Sequence, residues 1–157
     1  MVLSLKINGR MVSAGGDPTA RLSHILREEL GLTGLKEGCL EGECGACTVL
    51  INGAPVHACL TLAFQAQGRD IVTIEGMDED GLRAVLQAAF VESGAVQCGY
   101  CTPGMVMAAD GLLMANPAPS TDEIRHALAG NICRCTGYDS IVRAVAAEAG
   151  RRGEART

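Results

Sequence analysis

Eight cysteines are the residues of this 157-residue chain with the clearest chemistry, and four lie in each half. In the first half, Cys39, Cys44 and Cys47 follow the spacing C-x4-C-x2-C, and Cys59 comes after eleven further residues. This is the spacing that holds a plant-type [2Fe-2S] cluster, whereas the four-iron pattern C-x2-C-x2-C-x3-C-P does not occur in the sequence. The first set therefore predicts a [2Fe-2S] centre.

The residues between these cysteines suit an anionic cluster. Four thiolates and two sulfides outweigh the charge of two ferric ions, so the oxidised cluster is a dianion. Gly38, Gly42 and Gly45 allow the backbone to wrap closely and to aim N–H groups at sulfur. A structural zinc ion is the alternative, but zinc sites favour two close pairs of cysteines, which this spacing does not provide.

The second set is ambiguous when it is judged by spacing alone. Cys98 and Cys101 form C-x2-C, and Cys133 and Cys135 form C-x-C around Arg134. Two close pairs suit either zinc or a second [2Fe-2S] cluster. A lone C-x2-C also occurs in thiol redox proteins, although the βαβ pattern around such motifs is missing here. Spacing leaves these three readings open.

Composition and charge exclude several classes of function. The net charge is -5, which does not suit binding to phosphate groups. Aromatic residues, on which unpaired bases stack, make up only 3% of the chain. A nucleic-acid partner is therefore not favoured. The N-terminal sequence has no basic segment leading into an apolar run, and no stretch of eighteen apolar residues follows. We expect a cytoplasmic protein without a membrane span. In that compartment thiols stay reduced, which favours metal binding over disulfides.

The pattern of elements predicts an α+β protein of two domains. Asn8-Gly9 and Asn52-Gly53 each indicate a β-hairpin, and a strand is expected at 71–74. Apolar residues at helical spacing predict one helix over 19–30. After Gly76 the pattern becomes helical, which places a domain boundary at 76–80 and divides the chain into 1–76 and 77–157. The helices expected in the second domain cover 81–92, 103–115, 121–129 and 139–149.

Six segments together resemble the small iron–sulfur subunit of the xanthine oxidase, or molybdenum hydroxylase, family. The segments are 31–34 (GLTG), 38–39 (GC), 44–49 (CGACTV), 73–76 (TIEG), 97–104 (QCGYCTPG) and 130–138 (GNICRCTGY). The resemblance spans most of the chain. It implies a plant-ferredoxin-like β-grasp domain followed by a four-helix bundle with approximate two-fold symmetry, and it decides the second set in favour of a [2Fe-2S] cluster.

The resemblance also implies cofactors and partners. The cluster on Cys98, Cys101, Cys133 and Cys135 would lie next to the molybdopterin of a large subunit, with Gln97 and Cys135 contacting the pterin. The other cluster would face an FAD-binding medium subunit or another acceptor, and the assembly would be a dimer of heterotrimers. The large subunit would hydroxylate a substrate with oxygen from water, and this chain would remove the electrons singly. It would carry no substrate site of its own.

Two functions from other classes serve as alternatives. A free-standing ferredoxin-type carrier would need the first cluster only, and a zinc-stabilised adaptor would be redox-silent. His57, two residues before Cys59, could replace a cysteine as in Rieske centres, but four cysteines are already available. Glu41 and Glu43 beside the first cluster are expected to lower its reduction potential.

Overall fold

The first half of the chain folds as a mixed five-stranded sheet. The computed structural model describes residues 2–77 and 81–154, without the side chains of 81, 82, 153 and 154. The strands are β1 (Val2–Ile7), β2 (Arg10–Gly15), β3 (Thr48–Ile51), β4 (Ala54–His57) and β5 (Asp70–Val72). Their order is β2-β1-β5-β3-β4, with β1 parallel to β5 and the other pairs antiparallel. Both predicted hairpins are present.

The helix expected over 19–30 is shorter and wider than its pattern indicates. Helix α1 (Leu22–His24) continues as a π-helical segment, Ile25–Glu29. The side chain of Asp17 accepts hydrogen bonds from the N–H and hydroxyl of Thr19, which closes a turn where the first helical residues were expected. The spacing of Leu22, Ile25, Leu26 and Leu30 predicts a helix but does not distinguish an α-helical from a π-helical turn.

The second half is helical, as predicted. Its helices are α2 (Gly81–Glu92), α3 (Thr102–Ala115), α4 (Thr121–Ala127) and α5 (Asp139–Glu154). Helices α2 and α4 each pack against both α3 and α5. Ser120 and Glu123 form the capping box that begins α4. Across the described helices, none has both the length and the apolar character needed to span a bilayer. The two-fold bundle itself stays a prediction.

Two apolar cores meet at β3. Val49 and Ile51 pack with α1 and the inner face of the sheet, whereas Leu50 packs with the core of the helical half. Strand β3 is therefore buried on both faces. The proposed boundary at 76–80 includes residues 78–80, which lie outside the described residues, so the division into two domains stays a prediction. The packing at β3 nevertheless holds the sheet directly against α3.

A buried ionic network ties three helices of the second half together. Asp110 on α3 accepts a hydrogen bond from Arg83 Nε on α2 at 2.9 Å, and its other oxygen lies 3.6 Å from Arg152 Nη2 on α5. Arg152 also pairs with Glu148 at 2.9 Å. Asp110 and Glu148 are each 1% exposed. Because removing one member leaves a buried charge uncompensated, the network favours this one arrangement of α2, α3 and α5.

Candidate metal centres

The first cysteine set lies in the loop between α1 and β3 and just after β4. The Sγ atom of Cys39 accepts backbone N–H groups from Glu41 at 3.5 Å, Glu43 at 3.3 Å and Cys44 at 3.3 Å. Positive φ angles at Leu40 and Gly42 turn these N–H groups inward. The N–H groups, led by those of Glu41 and Cys44, lower the pKa of Cys39 to about 7. The loop therefore stabilises a thiolate at this position before any metal is bound.

The other two cysteines of this set lie on the inner side of the loop. Cys47 is 3% exposed and Cys59 is 4% exposed. Burial raises the pKa of Cys47 to about 12, and the neighbouring Cys59 thiol opposes a second charge. The metal-free thiol is therefore neutral, so cluster binding must release its proton. The neighbouring thiol influences the pKa in each case, Cys44 that of Cys39 and Cys59 that of Cys47, so the set divides into two pairs of neighbours.

The second set joins two loops of the helical half. Cys98 and Cys101 precede α3, and Cys133 and Cys135 lie between α4 and α5. The Sγ atoms of Cys98 and Cys135 are 3.6 Å apart, and both residues are exposed. Cys101 has Cys133 as its neighbour, which acts to raise its pKa. The structure therefore brings together all four cysteines that the sequence assigned to this site.

Opposing effects act on the inner pair of the second set. Burial raises the pKa of Cys101 to about 12. Burial also acts to raise the pKa of Cys133, but hydrogen bonds with the hydroxyl and N–H of Thr136, the backbone of Cys135 and the thiol of Cys101 together outweigh it, and the net shift is downward. Each set thus combines one thiol made acidic by hydrogen bonds with one made basic by burial.

Four close thiol pairs match the donor geometry of two binuclear clusters, in which each iron takes two cysteines. All eight cysteines are free, and 3.6 Å between Sγ atoms is far longer than a disulfide bond of about 2.05 Å. Within residues 2–77 and 81–154, no three His, Cys, Asp or Glu side chains are grouped to hold a single metal ion. All-sulfur donors in pairs are what [2Fe-2S] centres use.

The two cysteine sets are in direct contact through their loops. The N–H of Ile132 donates to the carbonyl oxygen of Cys44 at 2.9 Å. The Tyr100 hydroxyl donates to the carbonyl oxygen of Glu37 at 2.7 Å. Spacing assigns the cysteines to sets but does not indicate how the sets are joined, because both contacts end on backbone carbonyl oxygens.

Comparison with known proteins gives the same assignment for both halves. A family described as "2Fe-2S iron-sulfur cluster binding domain" matches residues 20–85, and one described as "[2Fe-2S] binding domain" matches residues 73–146. The nicotinate dehydrogenase small FeS subunit of Eubacterium barkeri is 54% identical over 145 residues, covering 92% of each chain. The xanthine dehydrogenase iron-sulfur-binding subunit of Escherichia coli O157:H7 is 48% identical over 148 residues, again covering 92% of each.

The chain belongs to the family of small iron–sulfur subunits of the xanthine oxidase type. A solved structure, quinoline 2-oxidoreductase from Pseudomonas putida 86, superposes with a TM-score of 0.91 at 45% identity, covering 100% of this chain and 98% of that one. The predicted family is confirmed, and so is the electron-transfer role within an oxidoreductase complex. Neither the free-standing carrier nor the zinc adaptor is favoured.

The surface of this iron–sulfur subunit around Cys98 and Cys135 is open. Gln97 is exposed next to Cys98, so it lies close to Cys135 on the same surface. Exposed apolar side chains accompany them, including Val96 and Ile132, the latter 51% exposed. Their role as pterin contacts stays a prediction.

Proposed function

We propose that this chain relays single electrons from a molybdopterin-binding large subunit to an FAD-binding medium subunit. The observation that carries the proposal is the arrangement of eight free thiols as four close pairs in loops that touch each other. Residues Cys39, Cys44, Cys47 and Cys59 hold one cluster, and Cys98, Cys101, Cys133 and Cys135 hold the other. When bound, each [2Fe-2S] cluster accepts one electron.

The protein stabilises the thiolate ligands of this relay by hydrogen bonding. The N–H groups around Cys39 hold its thiolate charge, and the Thr136 hydroxyl does the same for Cys133. Gln97 and Cys135 present the exposed edge of the second site to the pterin. Two domains, the second a four-helix bundle, place the sites in series, and the complex is a dimer of heterotrimers. Eight reduced thiols suit a cytoplasmic location.

The relatives suggest which substrates to test first. Nicotinate, xanthine and quinoline, which appear in the names of similar proteins, are all nitrogen heteroaromatics. The substrate pocket belongs to the large subunit, so this chain's residues affect the exit of electrons rather than the choice of substrate.

Purification of the complex through a tag on this chain tests the proposal. Molybdenum and flavin are expected in amounts equal to the chain. Anaerobic addition of nicotinate, xanthine or quinoline is expected to produce EPR signals of reduced [2Fe-2S] centres with at least one of them. A chain that retains its iron but purifies with neither molybdenum nor flavin would contradict the proposed partners.

Glu41→Gln and Glu43→Gln are each expected to raise the reduction potential of the first cluster. Both carboxylates are exposed in the loop whose N–H groups bind Cys39 Sγ, and reduction adds negative charge close to them. A charge several ångströms away and screened by water corresponds to about 20–40 mV. A redox titration followed by EPR measures the change, and Glu29→Gln on the π-helical segment is the control. Unchanged potentials in both loop variants would refute the effect.

A further inference from the structure

We propose that Asn131 is a positioning residue that holds the two cluster-binding loops in contact and thereby sets the rate of electron transfer between the clusters. The inference rests on the proposed function in assuming that all eight cysteines hold clusters. It concerns a residue that ligates no iron. Asn131 follows Gly130 at the start of the loop that carries Cys133 and Cys135.

One connection between the two sites runs from ligand to ligand and crosses a single hydrogen bond. Cys44 ligates the first cluster, and its carbonyl oxygen accepts the N–H of Ile132 at 2.9 Å. Ile132 is covalently joined to Cys133, which ligates the second cluster. Electron tunnelling decays more slowly through covalent and hydrogen bonds than across van der Waals gaps. This single hydrogen bond is therefore the step of the path that the protein must keep short.

The side chain of Asn131 stabilises that hydrogen bond. It joins Asn131, the residue before Ile132, to Gly45, the residue after Cys44. Its Nδ2 donates to the Gly45 carbonyl oxygen at 2.9 Å and to Thr48 Oγ1 at 3.2 Å. Thr48 Oγ1 in turn donates to the same Gly45 oxygen at 2.7 Å. Asn131 is 4% exposed and Thr48 is 3% exposed. Because Gly45 follows Cys44 and Asn131 precedes Ile132, these bonds fix the Cys44 carbonyl against the Ile132 N–H.

The backbone of the second loop is also held in place. The Cys133 N–H donates to the Tyr138 hydroxyl oxygen at 2.9 Å, and that hydroxyl donates to the Asn131 carbonyl oxygen at 3.4 Å. A side chain at Gly45 would overlap the Gly130 carbonyl oxygen. The loops are thus closely packed. The side chain of Asn131 extends from one loop to the other beside the bridge, which is the hydrogen bond between Ile132 N–H and the Cys44 carbonyl oxygen.

Tyr100 provides a comparison within the same interface. Its hydroxyl also joins the two loops, through the Glu37 carbonyl oxygen, but the side chain is 49% exposed and Glu37 is neither a ligand nor bonded to one. Loss of this hydroxyl removes a contact between the loops without touching the bridge from Cys44 to Cys133. Tyr100→Phe is therefore the matched control.

The step to be measured moves one electron. A ferrous iron at one site is oxidised, a ferric iron at the other is reduced, and no proton or leaving group is involved. In the complex the electron comes from the molybdenum centre, and in the test it comes from hydrated electrons generated by pulse radiolysis. The readouts are the rate of redistribution between the clusters and the spin–spin coupling in the fully reduced EPR spectrum, with iron and sulfide measured on each sample.

Asn131→Asp and Thr48→Val are expected to slow the redistribution by about tenfold or more, the lower end of the loss of activity that follows removal of an outer-shell partner of a metal site. Both are also expected to weaken the spin–spin coupling at unchanged iron content. Thr48→Ser keeps the hydroxyl and should retain the wild-type rate, as should Tyr100→Phe. If Asn131→Asp binds less iron, the test is the redistribution rate of Thr48→Val compared with that of Thr48→Ser. A slow rate in the first variant only would support the inference.

Two results overturn the inference and leave the proposed function standing. One is an unchanged rate and coupling in Thr48→Val and Asn131→Asp with both clusters present. The other is an equal loss of rate and coupling in Tyr100→Phe, which would show that any contact between the loops, and not Asn131 in particular, sets the rate. A wild-type chain with only one cluster would instead overturn the proposed function itself.

Discussion

Cys44→Ala and Cys101→Ala are each expected to halve the iron content of the chain, from about four to about two irons, and to remove a different one of two EPR signals. Cys44 is paired with Cys39, and Cys101 with Cys133, so each substitution removes one of the two thiolates that an iron needs. The remaining pair cannot hold the binuclear cluster alone. Iron and acid-labile sulfide analysis with EPR on the reduced protein measures the result.

His57→Ala is the control for these ligand variants. His57 is not among the eight proposed ligands, and its imidazole lies beside Gly130, with Nε2 3.6 Å from where a Cβ on that glycine would be. Both signals should survive its removal. The assignment of cysteines to separate sites would be wrong if Cys44→Ala and Cys101→Ala removed the same signal.

Gly45→Ala is expected to lower the free energy of unfolding by about 2–5 kcal/mol, the sum of roughly 1–2 for a left-handed backbone and 1–3 for overpacking. Gly45 has φ +69°, a conformation that alanine resists. An added Cβ would overlap the Gly130 carbonyl oxygen and lie 2.6 Å from Asn131 Nδ2. Urea unfolding followed by the visible absorption of the clusters measures the loss.

Two further glycines separate the causes of that loss. Gly31 has the same φ of +69° with nothing within 4 Å of an added Cβ, so Gly31→Ala should show only the backbone cost of about 1–2 kcal/mol. At Gly104, whose φ is not positive, an added Cβ would overlap the Gly45 carbonyl oxygen, so Gly104→Ala should show only the cost of overpacking. Equal losses for Gly31→Ala and Gly45→Ala would mean that the loops do not press against each other.

Local chemistry made the hairpins and the first cluster predictable. Asn8-Gly9 and Asn52-Gly53 adopt the positive φ angles that tight hairpin turns need, and few other residue pairs do so easily. The C-x4-C-x2-C spacing reflects the short loop around Cys39, which is itself a local structure. Cys98 and Cys133 lie on different loops, so spacing alone left the second set open and only the resemblance to a family decided it.

Contacts between the halves were not predictable, because they depend on side chains and carbonyl groups far apart in sequence. Gly45 was interpreted as an aid to loop wrapping, yet its absent side chain also makes room for the Gly130 carbonyl oxygen. A signal for the double burial of β3 was present. Three successive residues of Thr48–Ile51 are apolar, a pattern typical of strands covered on both faces. In the structure the strand has no exposed position.

Low-temperature EPR of the dithionite-reduced wild-type chain, with iron and acid-labile sulfide measured on the same sample, tests the central claim most directly. Two paired-thiol sites predict two distinct S = 1/2 signals and about four irons per chain, with equal sulfide. A single signal with about two irons would contradict a relay of two [2Fe-2S] clusters. Zinc in the place of iron, without any signal, would contradict the electron-transfer role altogether.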